Sequence, residues 1–506
     1  MPTVEKYDRI VDLLVIGGGP HCLSAVTRVL EEDAYDKVDD RTPPFKRAKL
    51  ILRKQQQQRS KISKSRRLQS FEQNVMIIDK NGEWMNRWNS QFEFFQIEHL
   101  RSTTRLHVDP YDADSLFLFA KNSHRTEEFK TLEFIARSAA FRGPFFLPST
   151  KIFNEFCHDV SKRYQIHNLI EKTSAEYILP ILSNEGVPFD SNNNPVKYFE
   201  VKLTDGRLIK ATKLLVGVGS TNIKKEPDFV KSITTEYPAN TLVHSFDLAE
   251  AYYHQNKKEN LMNLFPSKSI INKKLLIVGG GLTSVYLVKV AKQMGFKSVD
   301  LIIRSAMSVK QFDVDVEWVG AIRTKKFREF RNIKSFQERA KCLAKARGSG
   351  SINPEAQSYL QDFHTTYPGF LTIREMTEVI EAYYHSPDDK SLSQGSVTKE
   401  GWEVTLSSCL DETEMFDYIW LGTGSVVDVR KEPLFSKLYE KVKVDVINGL
   451  PAIDNDLTWT KGCGAYIMGA YAALQLGPGA LNLAGARTAS SIISPPLQSF
   501  LFPTTA

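Results

Sequence analysis

Two short apolar segments that each lead into a glycine-rich turn are the strongest constraint on how this 506-residue chain folds. Residues 11–16 precede Gly17-Gly18-Gly19-Pro20, and residues 274–278 precede Gly279-Gly280-Gly281. An apolar helical pattern follows each turn. Glycine lets the backbone approach a pyrophosphate, and the N–H groups of the first helical turn point at it. One such turn also fits an ordinary tight turn, but two in one chain predict two dinucleotide-binding units.

The position of the next acidic residue supports the first unit. A carboxylate that binds the ribose hydroxyls is expected about 20 residues after the turn, at the end of the next strand. That strand pattern ends at Asp79, which lies 62 residues after Gly17. Residues 37–74 contain four consecutive glutamines and a dense run of cations, and without these 38 residues the spacing is 24. We therefore interpret residues 37–74 as an insertion and Asp79 as the ribose-binding acid.

The insertion also carries the excess positive charge. It holds twelve Lys/Arg and three Asp/Glu, a net charge of +9, so the remaining residues net −2 although the whole chain nets +7. This distribution does not indicate nucleic-acid binding. Blocks of like charge are commonly disordered, so we predict a flexible surface loop that contributes no core and is dispensable for catalysis. A nuclear localisation signal is the alternative interpretation.

The second unit has a cation where the first has an acid. Its next strand pattern ends at Arg304. An acid at this place favours NAD and a cation suits the 2′-phosphate of NADP, although an ordinary surface arginine fits as well. The pair of units predicts a flavoprotein that binds FAD at its N-terminal unit and NADPH at the second. The predicted cofactor contacts are Gly17, Gly19, Pro20, His21, Asp79 and Trp84 for FAD, and Gly279, Gly281, Leu282, Thr283, Ser284 and Arg304 for NADPH.

Two further segments, residues 214–219 and 419–424, are short apolar strands that end in Gly-x-Gly, one downstream of each unit. In flavoproteins with two dinucleotides, such strands return the chain to the sheet under the cofactor. The sequence thus predicts an α/β fold with two Rossmann-like dinucleotide-binding domains, for FAD and NAD(P), of which the FAD domain is discontinuous. The predicted divisions are residues 1–268 for the FAD-binding domain, 269–425 for the NAD(P)-binding domain with a substrate-facing helical segment, and 426–506 for the return to the FAD-binding domain.

Several segments together resemble a known family. They are residues 17–23, which fit a GxGPxxL turn, and residues 79–84, 99–102, 107–110, 279–284, 311–318 and 474–487. The chain resembles the lysine and ornithine N-hydroxylating flavin monooxygenases and, more closely, the eukaryotic oxidative-stress-induced growth inhibitor family. The resemblance covers nearly the whole chain except residues 37–74. It implies FAD, NADPH, molecular oxygen and a small-molecule substrate, whose identity it leaves open.

The resemblance also indicates residues near the flavin and the substrate. The catalytic candidates, each of which also fits a structural hydrogen-bonding role, are Gln96, Arg101 and His107. The substrate candidates, which equally fit a capped turn before a helix, are Asp313, Asp315 and Trp318. Further cofactor contacts are expected at Gly469 and Gly477. Gly477-Pro478 predicts a helix start whose positive end faces the flavin, or else an ordinary C-terminal helix.

We therefore expect an NADPH-dependent flavin monooxygenase that acts on an amine. An NADPH oxidase or flavin reductase that transfers no oxygen, and a regulatory flavoprotein that senses redox state, fit the same pattern. Five scattered cysteines form no CxxC, which disfavours a dithiol reductase and indicates a reducing compartment, the cytoplasm or else the nucleus. No metal motif, no secretory signal and no apolar run of about 18 residues is present, so we expect no membrane span. The sequence leaves the oligomeric state open.

Overall fold

The first sheet has a parallel core built around the strand that leads into the first glycine turn. The computed structural model describes residues 6–32, 61–132, 145–219, 223–254, 270–319, 323–348, 350–386 and 400–503. The strands of this sheet follow the order Ile170–Lys172, Val75–Asp79, Arg9–Ile16 and Leu208–Val216, with Ala465–Ile467 paired in parallel to Leu208–Val216, and antiparallel Val196–Leu203 and Ala175–Leu182 beyond it. Strands Arg9–Ile16 and Val75–Asp79 are mostly buried, which explains why they read as apolar runs in the sequence.

The second sheet repeats this arrangement around the second glycine turn. All its strands are parallel, in the order Leu371–Glu375, Ser298–Ile303, Lys274–Val278, Tyr418–Leu421 and Leu242–His244. In both sheets the strand before the turn is central, the next strand lies on one side and the Gly-x-Gly return strand lies on the other. The predicted fold class, with two Rossmann-like units, is confirmed.

The chain exchanges segments between the two sheets. Leu242–His244 belongs to the second sheet although it precedes the predicted division at residue 269, and Ala465–Ile467 returns to the first sheet. The three domain divisions themselves stay predictions. A separate antiparallel sheet of Val379–His385, Gly401–Leu406 and Cys409–Phe416 packs its buried side chains, among them Trp402, against the second sheet.

A helix follows each glycine turn directly: Pro20–Leu30 after the first and Leu282–Met294 after the second. Gly295, with φ +91°, is the C-cap of the second of these helices, as its sequence predicts. The other α-helices of the described residues are Lys61–Asn74, Asn86–Phe94, Ser115–Asn122, Thr150–Arg163, Asp228–Ser232, Ser245–His254, Arg323–Asn332, Phe336–Arg347, Pro354–Thr366, Ser436–Lys441, Ala473–Leu476 and Leu483–Leu501. None of the helices in the described ranges is long and apolar enough to span a bilayer.

Short elements complete the fold. The strand pairs are Phe129–Leu132 with Phe145–Pro148, Ser308–Val309 with Ser351–Ile352, and Val446–Ile447 with Leu450–Pro451. The 3-10 turns in the described part of the chain are Thr126–Glu128, Val316–Trp318, Pro433–Phe435, Gly469–Ala472 and Pro478–Leu481. The C-terminal helix packs on helix Pro20–Leu30, where the Gln498 amide donates to the carbonyls of Arg28, Val29 and Glu31 and so caps that helix.

The insertion contributes to the core, so the prediction that residues 37–74 form none is wrong at their C-terminal end. Residues 61–74 are a helix that leads into strand Val75–Asp79. Phe71 on this helix is 1% exposed and belongs to the main core of the first unit. Ile62, Leu68 and Phe71 are too few among polar residues to give a clear amphipathic pattern, so sequence reasoning missed the helix. The flexible loop predicted for residues 37–60 lies outside the described residues.

The predicted helix start at Gly477-Pro478 is displaced by one turn. Pro478–Leu481 is a 3-10 turn, and the long α-helix begins at Leu483. Asn482 is its N-cap and accepts hydrogen bonds from the backbone N–H groups of Ala484 and Gly485. A true N-cap side chain thus outweighs proline at the first position as the start signal.

Candidate functional site

The first glycine turn joins the central strand of the first sheet to the helix that follows it. Gly17 has φ +123°, and a Cβ built on it would lie 2.6 Å from the carbonyl oxygen of Gly217. A Cβ on Gly18 would lie 2.8 Å from Ile170 Cδ1. Gly19, the N-cap residue of the helix, has no atom of the described residues within 4 Å of its Cβ position. Packing requires the first two glycines, whereas Gly19 leaves open space in which a phosphate can approach the helix N-terminus.

Asp79 lies beside this turn, at the end of the next strand. Its Oδ2 accepts a hydrogen bond from the Gly18 N–H at 2.8 Å, and its Oδ1 accepts one from the Asn81 N–H at 2.8 Å. The structure therefore brings the predicted acid and the glycine turn together. Trp84 is buried in the core, where its indole N–H donates to the Ile166 carbonyl at 2.9 Å. Its predicted contact with the cofactor stays a prediction.

The C-terminal segment lies against the same turn. His21 Nε2 and the Ala480 carbonyl oxygen are 2.9 Å apart, and a Cβ on Gly469 would lie 3.9 Å from His21 Cδ2. Burial lowers the pKa of His21, so the ring is neutral at pH 7 and Nε2 carries the donated proton. Gly477, with φ +79°, packs instead on Phe327, whose Cε1 lies 3.3 Å from its Cβ position. Two of the predicted contacts, His21 and Gly469, are thus neighbours at the first turn.

The second glycine turn repeats the geometry of the first. Gly279 has φ +145°, and its Cβ position lies 2.4 Å from the Gly422 carbonyl oxygen. The Cβ position of Gly280 lies 2.6 Å from Ile303 Cγ2. The remaining predicted contacts occupy the N-cap and the first helical turn, and they are Gly281, Leu282, Thr283 and Ser284. Their contact with a nucleotide stays a prediction.

A small side chain replaces the third glycine of the common motif in both turns. A Cβ on Gly217 would lie 2.5 Å from Cys22 Sγ, and a Cβ on Gly422 would lie 2.3 Å from Ser284 Oγ. Both side chains are buried, and burial raises the pKa of the Cys22 thiol to about 12. The close contact between helix and sheet, which a helix glycine usually provides, depends here on a glycine of the return strand. This contact explains the first glycine of the Gly-x-Gly that ends each return strand.

Arg304 follows the second strand of the second sheet directly. The preceding residue, Ile303, touches the glycine turn at Gly280. The Arg304 side chain is exposed, and within the described ranges it makes no hydrogen bond or ion pair. A guanidinium at this place can bind an anion. Contact of Arg304 with a 2′-phosphate stays a prediction.

A cavity of about 210 Å³ lies between the two units. Lys130 Nζ of the first unit lies 2.9 Å from Glu355 Oε1 of the second, and Lys289 Nζ of the second lies 3.6 Å from Glu98 Oε1 of the first. The lysine belongs to the first unit in one of these ion pairs and to the second unit in the other. The other lining residues are Gln96, His99, Leu100, Leu147, Val285, Tyr286, Asn353, Ala356 and Tyr359.

Burial sets the protonation of two cavity groups. It raises the pKa of the Tyr286 phenol to about 12 and lowers the pKa of His99. At pH 7 the phenol therefore carries its proton and the imidazole is neutral. Tyr286 and Glu355 were not expected from the sequence, because they lie on helices that meet the first unit only through tertiary packing. The one local signal for Tyr286 is its place as a polar residue in the second helical turn after Gly281.

The catalytic candidates Gln96 and Arg101 lie at this cavity or beside it. The Gln96 side-chain oxygen accepts a hydrogen bond from Gln293 Nε2 of the second unit at 3.0 Å. Arg101 donates to the carbonyl oxygens of Lys310 at 2.6 Å and Gln311 at 3.1 Å, and burial lowers its pKa. Both side chains thus connect the first unit to the second. Their catalytic role stays a prediction.

His107 has a different environment. Its Nε2 donates to the Ala113 carbonyl at 3.0 Å, and its Nδ1 accepts from the Asp109 N–H at 3.2 Å. The ring is buried and packs edge-on against Phe156, and burial lowers its pKa. Both ring nitrogens hold the surrounding loop, and His107 does not line the cavity. The geometry gives it a structural role, and a catalytic one remains a prediction.

The substrate candidates follow the second strand of the second unit, on a segment whose Trp318 packs in the core of the first unit. Asp313 Oδ2 lies 3.2 Å from Arg347 Nη2, and Asp315 Oδ1 lies 3.0 Å from Lys310 Nζ. Trp318 is buried among aromatic side chains. Contact of these three residues with a substrate stays a prediction. Across the described ranges, no group of three or more His, Cys, Asp or Glu side chains is placed to hold a metal ion.

Solved structures share this fold across almost the whole chain. An ornithine hydroxylase from Pseudomonas aeruginosa is 17% identical, with a TM-score of 0.61 over 97% of this chain and 100% of that one. A cadaverine monooxygenase from Erwinia amylovora, described bound to FAD, is 15% identical, with a TM-score of 0.60 over 98% of this chain and 95% of that one. An ornithine N-hydroxylase from Kutzneria sp. 744, described with reduced FAD, NADP⁺ and L-ornithine, is 13% identical, with a TM-score of 0.61 over 97% and 99%.

No protein-family model matches the chain, and no curated protein does. At 13–17% identity, the likeness to the three solved structures is one of fold. It extends over both glycine turns, both sheets and the C-terminal return, which together make up the described structure. The chain therefore has the two-unit α/β fold of these amine N-hydroxylating flavin enzymes.

Proposed function

We propose that this protein is an FAD-dependent, NADPH-using oxidoreductase that acts as a flavin monooxygenase on a small-molecule amine. The observation that carries the proposal is the pair of glycine turns, each on a strand that lies between the next strand and the return strand of its sheet, with a cavity between the two units. The neighbours described with FAD and with NADP⁺ support it, because they share this arrangement over nearly their full length.

The first unit fits FAD. A Cβ on Gly19 would project into open space at a helix N-terminus, which is where a pyrophosphate approaches the backbone in this motif. The Asp79 carboxylate is held against the turn by the Gly18 N–H, and its oxygens retain lone pairs for ribose hydroxyls. Gly17, Gly19, Pro20, His21 and Asp79 would hold the cofactor.

The second unit fits a phosphorylated nicotinamide nucleotide. Gly281 and the first turn of helix Leu282–Met294 present the backbone N–H groups. The exposed guanidinium of Arg304 lies beside the turn, and guanidinium groups bind phosphate with two parallel hydrogen bonds. NADPH fits this pair of features better than NADH does.

FAD, when bound, would supply the two-electron chemistry that links NADPH to molecular oxygen. The chain's own residues bind and orient the reactants. Tyr286 holds a proton at its phenol oxygen at pH 7, and from there it can donate a hydrogen bond to a polar substrate group. The ion pairs Lys130–Glu355 and Lys289–Glu98 join the two units at the cavity.

Several finer assignments belong to the same proposal. The quoted motifs support a relationship to the oxidative-stress-induced growth inhibitor family. We place the domain divisions after residues 268 and 425, with strand Leu242–His244 given to the second sheet. Reduced, scattered cysteines support a cytoplasmic location, and Cys409 alone among the five has an exposed side chain.

The test is a sequence of three measurements on the purified protein. We expect its visible spectrum to show FAD, NADPH to bleach that spectrum without oxygen, and NADPH consumption in air to exceed peroxide release when an accepted amine is present. Absence of flavin, or flavin that NADPH does not reduce, would refute the proposal. Peroxide equal to NADPH consumed with every amine tried would support an oxidase instead. The variant Gly19→Val serves as the flavin-free control.

A further inference from the structure

We infer that this chain binds a second copy of itself, through a basic helical hairpin on one copy and an acidic sheet on the other. The basic hairpin is residues 323–347, which hold helices Arg323–Asn332 and Phe336–Arg347. The acidic sheet is residues 375–385 and 400–416, which hold the antiparallel sheet that contains Trp402. The inference does not depend on the cofactors or the reaction proposed for the protein.

The basic hairpin carries charge of almost one sign. It contains ten Lys/Arg and two Asp/Glu, a net charge of +8. Five of these cations are exposed and form no ion pair with another described residue. They are Arg328, Arg331, Lys334, Lys341 and Lys345. The charge of this surface is therefore not neutralised by neighbouring acids of the described structure.

A buried arginine fixes the hairpin to the body of the protein. Arg339 is 9% exposed, and its Nε and Nη2 donate to the carbonyl oxygens of Ile333 and Arg331, each at 2.9 Å. Its Nη1 donates to the Leu474 carbonyl at 3.0 Å and to Gln475 Oε1 at 2.7 Å, both in the C-terminal segment. The exposed cations therefore lie on a preformed surface, which needs little ordering when it binds a partner.

The acidic sheet has the opposite composition. It contains eight Asp/Glu and no Lys/Arg, a net charge of −8. Six of these acids are exposed and, within the described ranges, form no ion pair. They are Glu375, Glu378, Glu381, Glu400, Asp411 and Glu412. The sheet thus matches the hairpin in the size of its net charge and has the opposite sign.

Exposed apolar side chains accompany these acids. Four of the nine large apolar side chains that are exposed in the described structure belong to this sheet, and they are Met376, Ile380, Tyr383 and Leu410. The Ser407 N–H donates to the Glu378 carbonyl at 2.9 Å, which brings the segment before Leu410 beside the segment after Met376. Exposed apolar side chains gathered in one region mark interaction surfaces, so the acidic sheet suits a protein partner.

The two surfaces do not pair with each other within one chain. The hairpin is attached to the C-terminal segment of the first unit, whereas the acidic sheet packs on the second sheet. No ion pair between described residues joins them. A nucleic acid or an anionic membrane would match the hairpin and leave the acidic sheet without a partner. A second copy matches both surfaces, because their net charges are equal and opposite.

Salt dependence is the first test. The contact is heterologous, since the hairpin of one copy meets the sheet of the next. The screening length falls from about 10 Å at 0.1 M ionic strength to about 3 Å at 1 M, so contacts between exposed charges weaken strongly. We expect sedimentation velocity of the full-length protein to show concentration-dependent association at the lower salt and a monomer at the higher one.

Charge removal then identifies the two surfaces. A hairpin variant replaces the five exposed, unpaired cations by glutamine, and a sheet variant replaces the six exposed, unpaired acids by their amides. Each variant alone is expected to self-associate about ten- to a hundredfold more weakly than wild type. A mixture of the two variants is expected to form a 1:1 complex and nothing larger, because each protein keeps one of the two surfaces. Complementation of this kind requires two copies of the chain.

A matched control replaces five exposed lysines outside both surfaces by glutamine, at Lys121, Lys151, Lys162, Lys197 and Lys461. It is expected to associate as wild type does, and all variants are expected to keep the wild-type melting temperature. If the hairpin variant melts lower, Lys341→Gln with Lys345→Gln gives the same comparison.

Four results would overturn the inference. They are a wild-type monomer at low salt, unchanged self-association of either variant, a mixture that stays monomeric, and an equal loss in the control. Heparin binding by a monomeric wild-type protein would assign the hairpin to a polyanion instead.

Discussion

The two dinucleotide units share their strand order and glycine contacts, yet they differ at three places. Gly19 faces open space, whereas Gly281 faces the backbone of Gly350. The second strand of the sheet ends in Asp79 in the first unit and is followed by Arg304 in the second. The connection between helix and second strand spans residues 31–74 in the first unit and only residues 295–297 in the second.

This comparison separates packing from recognition. The shared features are those that a close approach of helix and sheet requires, such as Gly17 against Gly217 and Gly279 against Gly422. The differing features are of two kinds: Gly19, Asp79 and Arg304 lie where packing imposes no common residue, whereas the longer connection of the first unit adds Phe71 to the core. The following experiments test whether the packed positions act on stability and the residues at the turns on binding.

The largest effect is expected in the connection that only the first unit has. Phe71→Ala removes a ring that is 1% exposed, and we expect it to lower the free energy of unfolding by about 3–5 kcal/mol. Gln73→Ala, at an exposed position of the same helix, is expected to stay within about 0.5 kcal/mol. Denaturant unfolding measures both. Deletion of residues 37–60 is expected to keep the flavin, and a Phe71→Ala protein as stable as wild type would show that this helix lies outside the core.

The next effect tests the differing glycines. Gly19→Val fills the open space at the helix N-terminus, and loss of two charge-assisted bonds to phosphate is expected to weaken FAD by about a hundredfold or more. Gly281→Val is expected to keep FAD and lose NADPH. Flavin content and NADP⁺ titration of each variant give the result. Equal loss of FAD in both variants would mean that the two turns do not act independently.

A smaller effect is expected at the shared contact between helix and return strand. Gly217→Ala places a Cβ 2.5 Å from Cys22 Sγ and is expected to cost about 1–3 kcal/mol of stability. Cys22→Ala should restore most of this loss, because the clashing sulfur is gone. In the second unit Ser284→Ala should rescue Gly422→Ala only in part, since Ser284 Cβ itself lies 3.2 Å from the new Cβ. Melting curves of the two double-mutant cycles compare the units, and additive losses in the first cycle would contradict the contact.

The smallest effect is a pH dependence of the first unit. Burial lowers the pKa of both His21 and His107, so below pH 6.5 the unfolded chain binds more protons than the folded one. Stability is therefore expected to fall as the pH drops below about 6.5, by up to about 1.4 kcal/mol per pH unit for each histidine. His107→Gln should flatten this slope, while His124→Gln, at an exposed position, should leave it unchanged. Urea unfolding between pH 5 and 7 gives the slopes, and identical slopes in all three proteins would argue against the buried histidines.

The sequence predicted which residues lie at the strand ends beside the glycine turns, but it did not predict what surrounds the other candidate residues. Asp79 was predicted beside the first turn because a strand pattern, a turn and a spacing are local features. His107 came from a motif as a catalytic candidate, yet both of its ring nitrogens are engaged by the backbone. Phe71 was missed because three apolar residues in a polar segment of fourteen give no clear helical periodicity.

The sequence by itself determined the two strand–turn–helix units, their return strands and the opposite charges of Asp79 and Arg304. These depend on contiguous residues, whose apolar periodicity and glycine content follow from local backbone geometry. Only the tertiary structure decided that Gly350 covers the second turn, that Cys22 and Ser284 pack on return-strand glycines, and that Tyr286 faces the cavity between the units. The residues in those contacts are far apart in the chain, and no local pattern records which of them folding brings together.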